Sequence, residues 1–150
     1  MKISDTQIEQ MTEVAERLKV SAIRDIELEH GPNGRRPKDY HNVPHSLFVF
    51  NTSKQIAELA VKRGKIEPVF VPIISIAALF HDYYHNPWFV NNPAYRGENE
   101  RRSAKVARQS MSWYTCFENV HLDFVSDAIE STAVKSTSPR LEWDLKNGTY

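Results

Sequence analysis

The stretch from Val69 to Phe80 is apolar throughout apart from Ser75, and it ends abruptly at His81-Asp82. A run of this kind belongs inside a protein, so it sets the centre of whatever the chain folds into. It falls short of a membrane span, which needs roughly 18 or more apolar residues. A buried strand or a buried helix would tolerate the composition. Ala77, Ala78 and Leu79, leading into charged residues, favour the helix. Neighbouring residues on a helix diverge by about 100°, so a buried helix ending Phe80-His81-Asp82 sets two polar groups at the rim of a core.

The rest of the chain supplies partners for that helix. Ile8, Met11, Val14, Ala15 and Leu18 share one stripe, which predicts an amphipathic helix over residues 5–19, capped by Ser4 or Asp5. A turn-rich segment covers residues 31–37. Pro44 suits the first turn of a second helix running to about Arg63, with Gly64 ending it. A long loop follows residue 82, with Asn86, Pro87, Asn91, Asn92, Pro93 and Gly97. Two more helices read from about Glu98 to Trp113 and from Asn119 to Val134. No convincing alternation of period two is present. The expectation is an all-α fold of about five or six helices.

Composition fits one domain spanning 1–150. With 150 residues, 41% of them hydrophobic, the chain can build one core. Nineteen basic residues balance 19 acidic ones, which argues against a basic nucleic-acid binder. A single Cys excludes an intrachain disulfide, and the N-terminus is polar without an apolar leader, so a cytoplasmic location is expected. Neither a membrane nor a nucleic-acid partner is anticipated, while a homo-oligomer remains open.

The chemistry concentrates in His41, His45, His81, Asp82 and His85. Burying a His-Asp pair without partners costs several kcal/mol. Imidazole and carboxylate together suit first-row divalent metals. His45 opens the helix that precedes the apolar one, and crossing the two would bring it beside His81. His41 alone also reads as a cap or surface residue. His85 shares the face of His81 only if the helix continues past residue 81. Cys116, in an apolar aromatic setting, reads as an inert buried thiol.

These residues resemble the HD superfamily of metal-dependent phosphohydrolases. His45 in His-Ser-Leu-Phe-Val-Phe resembles the helix of that family's first ligand, and Ala77 to Asp82 resembles its central His-Asp motif. Tyr40 to Ser46, with the order Tyr-His-x-x-x-His, and Asn99 to Ala104, Asn-Glu-Arg-Arg-Ser-Ala, resemble motifs of a short group within it. The likeness covers residues 35–145. It implies an HD-type helical domain in which His45, His81, Asp82 and a later Asp hold a divalent ion, whether Mn, Fe, Co, Zn or Mg. Asp144, followed by Leu145, is the choice for the last ligand. Asp123 and Asp127 are rivals, although a solvated helix face would also accommodate both.

The implied activity is hydrolysis of a nucleotide or another small phosphate ester by a metal-activated water. His85 or Glu100 would orient that water or take its proton. Arg35, Arg36, Arg101 and His41 would hold the phosphate, guanidinium being matched to it bidentately. Trp88, Phe89 and Tyr95 would either stack on a base or anchor their loop. The sequence departs from the pattern in one respect: the His expected after an Ile-x-x-Thr stretch is missing after Ile129 and Thr132. Family members also continue past the last Asp, whereas this sequence stops at Tyr150. Two rival readings are a degenerate HD domain that binds a nucleotide or protein, and an HD-type di-iron oxygenase drawing extra ligands from His41, His85 and His121.

Overall fold

The computed structural model describes residues 3–133. Within them lie six α-helices and no strand. They are α1 (Asp5–His30), α2 (Val43–Lys62), α3 (Phe70–Phe80), α4 (Pro87–Val90), α5 (Glu98–Ser112) and α6 (Asn119–Glu130), with a 3₁₀ turn at Pro93–Tyr95 between α4 and α5.

Local chemistry fixes the ends. The Ser4 hydroxyl accepts the Gln7 amide at 3.2 Å and caps α1. The Asn42 side chain accepts the His45 amide at 3.3 Å, and Pro44 stands in the first turn of α2. Gly64, just beyond α2, has φ +65°, a left-handed conformation that only glycine adopts cheaply.

The first helix runs to His30, well past the expected residue 19. Its buried face explains why: Leu18, Ala22, Ile26 and His30 repeat every four residues, continuing the stripe up to the turn-rich segment. At the other end of the domain α6 stops at Glu130 rather than Val134, with Ser131 as its cap residue.

Helix α3 is the hub, packed against α1, α2, α5 and α6. The apolar run is therefore a helix and not a strand. Ile73, Ile76, Leu79 and Phe80 are essentially inaccessible, as are Met11 of α1, Phe50 of α2, Met111 of α5 and Val125 and Ile129 of α6. Burying each of these side chains stabilises the fold by about 1.5–3 kcal/mol. Because Leu79 and Phe80 are locked into this core, the next two residues emerge at its edge in a fixed position.

A candidate metal centre at the end of the central helix

Three imidazoles converge on one carboxylate oxygen. Asp82 Oδ2 lies 2.9 Å from His41 Nδ1, 3.1 Å from His45 Nε2 and 2.9 Å from His81 Nε2. His45 Nε2 is also 3.4 Å from His81 Nε2. The cluster draws on three segments: the turn before α2 gives His41, the first turn of α2 gives His45, and the end of α3 gives His81 and Asp82. Ligand atoms of His41, His45 and Asp82 all lie within 4.8 Å of one another, a group that could hold a metal ion.

The tautomer of His81 is set by the backbone. Its Nδ1 lies 2.7 Å from the Ala78 carbonyl oxygen, which can only accept, so Nδ1 carries the proton. In a neutral His81 the Nε2 lone pair then points at Asp82 Oδ2, 2.9 Å away. Two lone pairs facing each other require a cation between them, a proton or a metal. A single carboxylate oxygen also has too few lone-pair directions to accept from three ring nitrogens at good geometry.

The electrostatics follow from this crowding. Burial by itself would raise the pKa of Asp82, but hydrogen bonds from His41 and His81, with their charges, hold it well below the usual carboxylate range. Burial works against protonation of His81 too, yet the Asp82 hydrogen bond and charge outweigh it and raise its pKa. For His45 burial wins and the pKa is lowered. The site is a fixed negative charge ringed by imidazoles.

His85 stands behind the cluster. Its ring stacks on His41 with centroids 4.0 Å apart and planes 19° from parallel. Its Nδ1 is buried without a hydrogen-bond partner. Burial, with His41 and Lys38 nearby, pushes its pKa down to about 4, so the ring is neutral near pH 7. The loop carrying it is clamped to α5. Asn99 Oδ1 accepts the Asn86 amide at 2.9 Å and Asn99 Nδ2 donates to the Asn86 carbonyl at 3.2 Å. Ser103 Oγ accepts the Tyr84 amide at 2.9 Å. Both side chains are buried, at 7% and 0% exposure, and stand four residues apart on one face of α5. They are the Asn and Ser of the Asn-Glu-Arg-Arg-Ser-Ala stretch. Within that stretch the sequence pointed to Glu100 and Arg101 as site residues and overlooked the clamp, although its spacing of four was legible.

The remaining candidates separate by position. Glu100 is half-buried in the first turn of α5, beside Asn99. Arg101 is engaged at the start of its own helix, donating to Glu98 at 2.9 Å and to the Arg96 carbonyl at 3.3 Å. Arg35 and Arg36 stand 3.8 and 3.6 Å from Glu29, too far for a hydrogen bond, and remain exposed. Arg35 lines a cleft that also includes His85. His41, expected on the phosphate, contacts Asp82 through Nδ1.

Of the two rivals for the last ligand, Asp123 is exposed and ion-paired with Arg108, and Asp127 is exposed. Asp144 lies outside the described residues. His121 is a cap: its Nδ1 accepts the Glu118 amide at 3.0 Å at the start of α6. Cys116 is buried, and burial raises its thiol pKa. Phe89 is buried and contacts Trp88 and Tyr95, anchoring their loop, while Arg102 lies over the Phe89 ring, 4.9 Å from its centroid.

The chain matches no family model, no curated protein and no solved structure. No described helix is long and apolar enough to cross a membrane.

Proposed function

We propose that the chain is a metal-dependent phosphohydrolase of HD type, holding one divalent ion on His45, His81 and Asp82 and acting on a small phosphate ester. The observation that carries this reading is the His81 ring. Its Nδ1–H is committed to the Ala78 carbonyl, and its Nε2 is aimed at the same point as His45 Nε2 and Asp82 Oδ2. A ligating His usually donates its other ring N–H to a carbonyl or carboxylate in this manner, which fixes its tautomer and orientation. The donor set of ring nitrogens and one carboxylate fits Mn, Fe, Co or Zn, with Mg less favoured by imidazole.

A bound ion would supply a water of lowered pKa and would polarise a phosphoryl oxygen. The protein's own residues do the rest. His41 donates from Nδ1 to Asp82 and keeps that carboxylate turned toward the imidazoles. His85, neutral and braced against His41, offers a ring nitrogen that can orient a water. Arg35, exposed at the cleft beside His85, is the cation best placed to meet an incoming phosphate. The resemblance adds Asp144 as a further ligand.

Elemental analysis of the purified chain, together with phosphate release from nucleotides and simple phosphate esters in Mn, Co, Mg, Fe or Zn, tests the reading. Bound metal and hydrolysis that disappears in Asp82→Ala are expected. Absence of turnover with every metal would overturn it.

A further inference from the structure

Tyr40 is 64% exposed, yet its ring lies against the cluster. It packs on His45 with centroids 4.3 Å apart and planes 39° from parallel, and it meets His41 edge-on at 5.1 Å. His41 and His45 are two of the three imidazoles around Asp82. One side of the ring therefore covers the cluster, and the rest of it is open to solvent. A ring left so exposed adds little to the core, where burial gives aromatic side chains most of their stabilising effect. Trp88, Phe89 and Tyr95 of the later loop behave differently, because they pack on one another.

Hydrogen bonds hold the turn that presents Tyr40. The Asn42 amide donates to the Tyr40 carbonyl at 2.8 Å, and Asn42 Nδ2 donates to the Lys38 and Asp39 carbonyls at 3.1 and 3.0 Å. The Lys38 amide donates to the His30 carbonyl at 3.1 Å. The backbone on both sides of Tyr40 is thus fixed, so its ring has little freedom left to lose when a ligand lies on it. The same turn carries Lys38, which is half-buried and forms no ion pair among the described residues. Its charge acts on His85, the ring stacked on His41. A cation without a carboxylate partner and an open aromatic face thus stand on one short segment beside the cluster.

Resting on the phosphohydrolase reading above, we propose that Tyr40 sets the specificity of the site, favouring phosphate esters whose organic part carries a planar ring. The ring would stack on the open side of Tyr40 while the phosphate lies at the cluster beside Lys38. A saturated organic part of the same size would meet that face without the stacking geometry.

The test compares phenylphosphonate with cyclohexylphosphonate, two probes of similar size of which only the first is planar. Both carry a carbon–phosphorus bond in place of the ester linkage. They are titrated calorimetrically into the zinc-loaded full chain at a pH where both are dianions. Tighter binding of the phenyl probe by about fivefold or more is expected, the scale of one stacked ring. A merely apolar contact would favour the cyclohexyl probe instead. Tyr40→Phe should keep the ratio and Tyr40→Leu should bring it to one or below, with zinc content and circular dichroism checking that the variants keep the site and the fold. Equal affinity of the wild-type chain for both probes, tighter binding of the cyclohexyl probe, binding of neither, or a ratio that survives in Tyr40→Leu would overturn the proposal. Phosphate release from glycerol phosphate, which has no ring, reports separately on the hydrolase reading. Hydrolysis there with no preference between the probes would remove the Tyr40 assignment alone.

Discussion

His81 Nε2 lies 2.9 Å from Asp82 Oδ2, although the two residues are consecutive at the end of α3. On a continuing helix their side chains would diverge by about 100°. Here His81 keeps helical backbone angles, φ −56° and ψ −36°, yet both side chains reach the same point, where His41 and His45 meet them. The pair is thus one part of a four-residue centre and not two separate rim groups.

Replacing either member should therefore empty the site while sparing the fold. His81→Ala and Asp82→Ala are each expected to weaken metal binding by more than about hundredfold, since loss of an orienting partner alone typically costs 10–100-fold. Metal content after dialysis measures the loss, and circular dichroism checks that helicity is kept.

One residue earlier the outcome should reverse. Phe80 is 2% exposed in the core, so Phe80→Ala is expected to destabilise the chain by about 3–5 kcal/mol. Urea denaturation would show whether the boundary between core and site falls between residues 80 and 81.

His41 holds Asp82 by a hydrogen bond, and its removal should act through that carboxylate. His41→Ala is expected to weaken metal affinity by about 10–100-fold, less than loss of His81. A metal titration that ranks His41→Ala as severely as His81→Ala would make His41 a direct ligand.

Asn99 satisfies both backbone groups of Asn86. Asn99→Ala leaves the Asn86 amide without its partner, while the Asn86 carbonyl keeps the Phe89 amide at 3.1 Å, and should cost about 1 kcal/mol. Amide hydrogen exchange at residues 84–86 should accelerate more than exchange within α3, which would show that the damage lies in the loop carrying His85.

Stability of the metal-free chain should fall as the solution is acidified. His85 has a folded pKa of about 4 against an ordinary 6.5, so between these values the unfolded chain binds more protons. Stability contributed by neutral His85 is present above about pH 6.5, declines as pH falls toward about 4, and changes no further below that. Denaturation midpoints across this range should slope less steeply in His85→Gln.

The helices and the contents of the core were legible in the sequence because they depend on local spacing. The apolar run up to Phe80, the stripe through Met11 and Leu18, Pro44 at a helix start and Gly64 at a helix end each act within a few residues. The first helix was read too short because Arg24, Asp25, Glu27 and Glu29 mask the weaker repeat of Ala22, Ile26 and His30. His45, His81 and Asp82 were recognisable as a set only through residue types and a family pattern.

Where side chains from distant segments meet was decided by the tertiary structure alone. The Asp25–Tyr83 hydrogen bond joins α1 to the residue after Asp82. The contact of His41 with Asp82 follows from how the turn before α2 lies against the end of α3. The Asn99 clamp depends on the loop at Asn86 lying against α5. Local propensity records the conformation of neighbours along the chain, and it carries no information about the distance between two helices. The sequence therefore determined the helices, the buried face of each and the residue types available for chemistry. Packing around α3 determined which of those residues share a carboxylate oxygen, which line the cleft and which remain on the surface.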